Sequence, residues 1–85
     1  LSLDTPLERL LPRALPTYDD YRDLADEPRW RQLTPRHVLS HRTGFANFRW
    51  LEPDRRLRLH FAPGERYAYS GEGFYVLQLV IEEGL

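Results

Sequence analysis

A tyrosine beside a glycine-bearing corner is the first candidate for chemistry in this 85-residue chain. In RYAYSGEGFYVLQLVIEEG, residues 66–84, a polar, tyrosine-rich segment runs through Ser70 and Gly71 into an apolar stretch. A turn, a short extended piece and a helix start present a side chain to a cleft, with backbone amides at the positive end of the helix. Tyr69 stands at that corner. On the residues alone, ordinary packing is the plainer account of it, as it is of Tyr18, Tyr21, Phe45 and Phe48.

His37 and His41 stand four apart, as metal-binding helices place their ligands. Val38 follows His37, however, where a zinc peptidase carries its glutamate base, and no third ligand is evident. Structural histidines near a helix end are the better reading, no metal site is expected, and His60 receives no role. The acids at 19, 20, 23, 26 and 27 lack the loop glycine and terminal bidentate glutamate of a calcium-binding hand, so they read as a solvated loop. Arginines between 49 and 58 lie beside Phe48 and Trp50, but Glu52 and Asp54 interrupt them, and nucleic acid is not an expected partner.

Composition narrows the chemistry further. The 12 basic residues are all arginine, against 13 acids, for a net charge of −1. No overall field draws the chain to nucleic acid or anionic lipid. The absence of lysine excludes amine-dependent catalysis from within these residues, and the absence of cysteine excludes thiol nucleophiles, disulfides and zinc ribbons. Ser2, Ser40 and Ser70 are the serines, and none has a lysine three residues on. No apolar run is long enough to span a bilayer. A first residue of leucine and an end just past an apolar helix give the expectation of an internal piece of a longer protein.

The elements that must position Tyr69 are short and proline-punctuated. Thr5-Pro6-Leu7-Glu8 has the arrangement of a capping box and predicts a helix to Leu10 or Leu11, stopped by Pro12. Residues 12–29 show no sustained period and read as a long surface connection, with room for one helical turn near 21–25. Thr34 and Pro35 open a second helix, with Leu33 stapled against Val38, ending near His41 or Arg42 where Gly44 supplies the left-handed residue. Leu57, Leu59 and Phe61 alternate with polar residues, which permits a short strand, an extended segment or a helical turn. Pro63-Gly64 is a turn, and Ser70 or Gly71 begins the last helix, whose wide apolar arc calls for cover on more than one side.

The order of three pieces, LSLDTPLERLLP, LTPRHVLSHRTGF and FAPGERYAYSGEGFYVLQLVIEE, resembles the serine β-lactamase and penicillin-binding-protein-like hydrolases. The likeness is to the branch of class C β-lactamases, D-alanyl-D-alanine carboxypeptidases and esterases, and it covers most of the chain. In that family an SxxK motif opens a helix upstream of the first piece, and a KTG-like strand lies downstream of the last. The resemblance therefore implies that residues 1–85 are a single partial domain, the middle segment between those two motifs. The fold class it implies is mainly α for this chain, the helical region of an α+β fold whose central sheet is largely missing.

Tyr69-Ser70-Gly71 stands where the family has its YxN motif. The resemblance implies that Tyr69 is catalytic, its phenol oxygen moving protons between a nucleophilic serine, a lysine and the leaving group. A phenol titrates near 10, so phenolate character at neutral pH needs nearby ammonium groups, which this chain does not contain. The resemblance also puts Ser70 and Gly71 at the substrate-binding edge of the motif, with helix capping the plainer role of the Ser70 side chain. Gly71 in place of the motif asparagine removes a carboxamide and makes an esterase or altered specificity more plausible than β-lactam hydrolysis. The family's HTSG-like turn is present as His41-Arg42-Thr43-Gly44 and reads as structural.

The expected function is that of a partial serine hydrolase working through a serine acyl-enzyme on a small acyl substrate (β-lactam, ester or D-alanyl peptide). It needs no cofactor, its partner is the remainder of the parent chain, and it is inactive as these residues alone. The family is often exported to the periplasm or cell envelope, and a cytoplasmic esterase stays open. The alternatives are a non-catalytic, peptide- or protein-binding relative of the same fold and a free-standing helical interaction module.

Overall fold

The computed structural model describes residues 2–84, and among these the chain is helical with no strand. Three α-helices, α1 (Leu7–Leu10), α2 (Pro35–Leu39) and α3 (Gly71–Gly84), are joined by four 3-10 turns at Leu15–Thr17, Asp19–Leu24, Pro28–Gln32 and Arg49–Leu51. The long helix α3 packs across both short ones. The N-terminal segment is tied to the α2 region by Leu7 N–H donating to Leu33 C=O at 2.8 Å and Arg36 N–H donating to Leu3 C=O at 2.9 Å.

Residues 12–29 are the main departure from the sequence reading, because they build the core rather than skirt it. Leu15, Tyr18, Tyr21, Leu24, Trp30 and Leu33 are all buried, and they stand at multiples of three residues along the chain. A 3-10 turn has 3.0 residues per turn, and here Leu15, Leu24 and Trp30 lie within such turns while Tyr18, Tyr21, Glu27 and Leu33 lie at the extended or kinked joints between them, so the spacing of three is that of successive turn-and-joint units. Neither a helical period of 3.6 nor a strand period of 2 matches this spacing. Glu27 is the polar member of the series, and its carboxylate takes both Nε and Nη2 of Arg29, at 2.8 and 2.9 Å, while the same guanidinium donates to Leu59 C=O. That pair fastens the 3-10 segment to residues 57–59. The acids are accordingly less solvated than expected: Asp23 accepts from Leu57 N–H at 2.9 Å.

Caps decide the remaining boundaries. At α2 the expected cap is present, with Thr34 Oγ1 accepting from His37 N–H and His37 Nδ1 accepting from Thr34 N–H, both at 3.2 Å. At α1 the expected box does not form; no side chain caps the helix, and Glu8 turns to Arg31 in an ion pair. Helix α2 ends earlier than expected, and the left-handed residue that closes it is His41 (φ 56°) rather than Gly44. Gly44 (φ 98°) does a different task, lying so close to residue 61 that a Cβ would collide with the Phe61 carbonyl oxygen. The alternating Leu57, Leu59 and Phe61 are buried, but the strand shrinks to one antiparallel bridge between Phe45 and Leu59. Helix α3 buries only Glu72, Gly73, Val76 and Val80, leaving Phe74, Tyr75 and Ile81 exposed, so the cover its apolar arc calls for is present on one side.

Gly44→Ala combines a disfavoured positive φ with a backbone collision and is expected to cost about 2 kcal/mol or more. The check is amide exchange at His60, whose N–H bonds Gly44 C=O at 2.8 Å: about thirtyfold less protection than in the parent sequence is expected.

Candidate functional site

Tyr69 stands where the chain leaves an extended stretch and enters α3. Its ring is 61% exposed and lies stacked on the His41 ring, with centroids 4.3 Å apart and an interplanar angle of 26°. Tyr67 and Phe74 contact the other sides of that imidazole edge-on, at 5.8 and 5.3 Å. The backbone on either side of Tyr69 is held by the same histidine. Ala68 N–H donates to His41 C=O at 2.8 Å, and Ser70 N–H donates to His41 Nδ1 at 3.1 Å.

The start of α3 is closed off by the loop at 46–49. A helix leaves its first four N–H groups without intrahelical partners. Here Gly71 N–H donates to Asn47 Oδ1 at 2.8 Å, Glu72 N–H to Asn47 C=O at 2.9 Å, and Gly73 N–H to Ser70 Oγ at 3.2 Å. Ser70 is buried and its hydroxyl also donates to Ala46 C=O at 2.9 Å, so the geometry shows the capping role for this side chain. Gly71 is close to the Phe48 ring: a Cβ there would sit 2.5 and 2.6 Å from two ring carbons. The volume that a side chain at 71 needs is filled by Phe48, which is itself stacked on Trp50 at 4.4 Å.

In the first turn of α3 lies a group that the sequence pattern did not reveal. Glu72 is 1% exposed and accepts three bonds from Arg49: from its N–H at 2.6 Å, its Nε at 3.0 Å and, on the other oxygen, its Nη2 at 3.0 Å. The carboxylate raises the guanidinium's affinity for its proton. Beside the pair, burial pushes the Tyr21 phenol up to about 12 even though Arg49 pulls it down. A glutamate at the second position of a helix reads as a surface residue, and only the basic residue two positions after Asn47 hinted at a partner. A cleft of about 390 Å³ opens over this pair, between Asp20, Tyr21, Trp50 and Tyr75, and Tyr69 does not line it.

The histidines four apart are not brought together as ligands. His37 Nδ1 is occupied by the α2 cap and His41 Nδ1 by the Ser70 amide. Among the described residues no group of three or more His, Cys, Asp or Glu is placed to hold a metal ion. The arginines of 49–58 are largely paired within the chain, Arg49 with Glu72, Arg56 with Asp23 and Arg58 with Asp54. No helix among the described residues is long and apolar enough to cross a membrane.

Tyr69 thus stands immediately before the longest helix, and the Ser70 hydroxyl caps that helix. A family model described as Beta-lactamase matches residues 1–83, and the chain belongs to that family. No curated protein and no solved structure gave a match.

Removing one partner of a buried ion pair leaves the other charge uncompensated, at about 3–5 kcal/mol. Glu72→Ala is therefore expected to lower amide protection through the first turn of α3 by at least about a hundredfold, and Glu72→Gln, which keeps the acceptor oxygen, by clearly less. A second outcome concerns acid. Burial holds the His37 ring below the ordinary histidine value of 6.5. The unfolded chain therefore binds the extra proton first, so this contribution to stability is complete above about 6.5 and declines as the pH falls through it. Amide protection of α2, corrected for intrinsic exchange, should drop between pH 7.5 and 5.5 more steeply than in His37→Asn, which keeps an acceptor but does not titrate. Parallel slopes would contradict the assignment.

Proposed function

We propose that this chain supplies the second catalytic motif of a serine hydrolase that works by acyl transfer, with Tyr69 as the proton-moving residue. Family membership supports the class, and the observation that supports the role is the placement of Tyr69: exposed at the corner before α3, with both flanking amides pinned by His41. In this reading residues 1–85 are the middle, mainly helical part of an α+β fold. The nucleophilic serine and its lysine come from the remainder of the parent chain, because no Ser-x-x-Lys stretch and no lysine occur here. Serine attack gives an acyl-enzyme, and water releases the acyl group in a second step. Tyr69 passes the proton of the attacking hydroxyl toward the leaving group. Ser70 and Gly71 form the adjoining substrate edge, which is shaped by the backbone they hold in place, their own N–H groups being taken by His41 and Asn47.

Gly71 directs the choice of substrate. Gly71 supplies no carboxamide, and the Phe48 ring occupies the space beside it, which supports an ester or another acyl compound without a demanding amide side chain over a β-lactam or D-alanyl peptide. The same observation is the one that favours the competing reading, a relative that binds peptide or protein without catalysis.

The test begins with the coding sequence upstream of Leu1. An in-frame Ser-x-x-Lys stretch is expected; its absence removes the catalytic reading and leaves the binding one. In the chain that carries it, Tyr69→Phe should lower kcat/KM on an activated aryl ester by about a hundredfold or more, while the 85 residues alone should turn over no ester. A Tyr69→Phe variant as active as its parent would overturn the assignment.

A further inference from the structure

We infer that His41 is the positioning residue for Tyr69, a single side chain that fixes both the backbone and the ring direction of the proposed catalytic tyrosine. Three contacts to three consecutive residues carry it. The His41 carbonyl takes the amide of Ala68, its ring lies against the ring of Tyr69, and its Nδ1 takes the amide of Ser70. No hydrogen-bond partner holds the Tyr69 hydroxyl among the described residues, and the ring is largely exposed. An exposed phenol without a partner has several staggered rotamers open to it. The imidazole face is the surface that selects one of them.

The geometry of His41 suits this task in two respects. Its φ of 56° lies in the left-handed region, which histidine and asparagine adopt more readily than most residues. Closing α2 with such a residue turns the chain so that its carbonyl and its ring address the same extended segment, 68–70. The ring itself is wedged by Tyr67 and Phe74. Because Nδ1 accepts the Ser70 N–H, the neutral ring carries its proton on Nε2, which fixes the tautomer and ties ring orientation to the start of α3. A misplacement of a reacting group by about 1 Å can cost a hundredfold in rate, so an orienting contact of this kind belongs in kcat rather than KM.

The activity arm of the test rests on the hydrolase reading, and a spectroscopic arm does not. In the full parent chain, His41→Ala should lower kcat on an activated aryl ester at least tenfold with KM changed less than twofold. His41→Phe keeps a stacking ring but loses the acceptor. His41→Asn keeps the acceptor and the left-handed backbone but loses most of the stack. Each should fall between parent and alanine. In proton spectra of the same proteins, the Tyr69 ring signals should shift on losing the His41 ring current in His41→Ala and His41→Asn, and the Ser70 amide should lose its hydrogen-bonded shift in His41→Ala and His41→Phe. Tyr69 signals unmoved in every variant, or a kcat insensitive to all three in a protein that Tyr69→Phe inactivates, would overturn the inference. If the parent chain turns over no ester, the hydrolase reading fails and the spectra alone decide whether His41 positions Tyr69.

Discussion

The loop at 46–49, laid over the start of α3, is the contact on which the rest of this structure depends. Asn47 gives the helix two acceptors, one from its side chain and one from its backbone, and Arg49 closes on the buried carboxylate of Glu72 in the same first turn. A buried carboxylate without a partner would ionise only at a large desolvation cost, and a guanidinium that binds it bidentately offsets that cost with directional bonds. The helix cannot shift along its axis without breaking several of these at once. Tyr69, immediately before it, inherits that fixed origin.

Two supports of different kinds thus meet at one residue. From behind, α3 is anchored by charge and hydrogen bonds on a buried carboxylate. From the side, the turn after α2 brings an imidazole and a carbonyl to the extended segment. Sites built on rigid elements hold their geometry better than sites on free loops, and here a short loop segment is stiffened by being attached at both ends. The amides at the start of α3 are all engaged by the protein, so the helix end acts as an anchor and not as an open anion site of the kind helix termini often form.

Much of this was legible in the residues. Thr34-Pro35 marked α2, Ser70-Gly71 marked α3, and the order of motifs matched the Beta-lactamase family. What was hidden shares a cause: partners distant in sequence. Thr5 and Glu8 have the spacing of a cap, but Glu8 goes to Arg31, a pairing that no local pattern announces. Glu72 looks solvent-facing until Arg49 is known to lie over it. Gly44 and His41 exchanged roles because left-handed closure depends on where α2 stops, and the close approach of the Phe61 carbonyl claims the glycine instead.

The three-residue spacing of the buried side chains from Leu15 to Leu33 sets a rule for how the segment tolerates change in length. Each 3-10 turn closes its own hydrogen bonds, so no strand register or long helix ties one turn to the next, and only the side-chain phase is shared. Loss or gain of one residue inside a turn would swing that turn's buried side chain away from the core, whereas loss or gain of three would remove or add a rung and leave the others facing inward. A change of length in this stretch is therefore best accommodated in whole turns that leave Asp20 and Tyr21 in place, because Arg49 donates to the Asp20 carbonyl and lies over the Tyr21 ring.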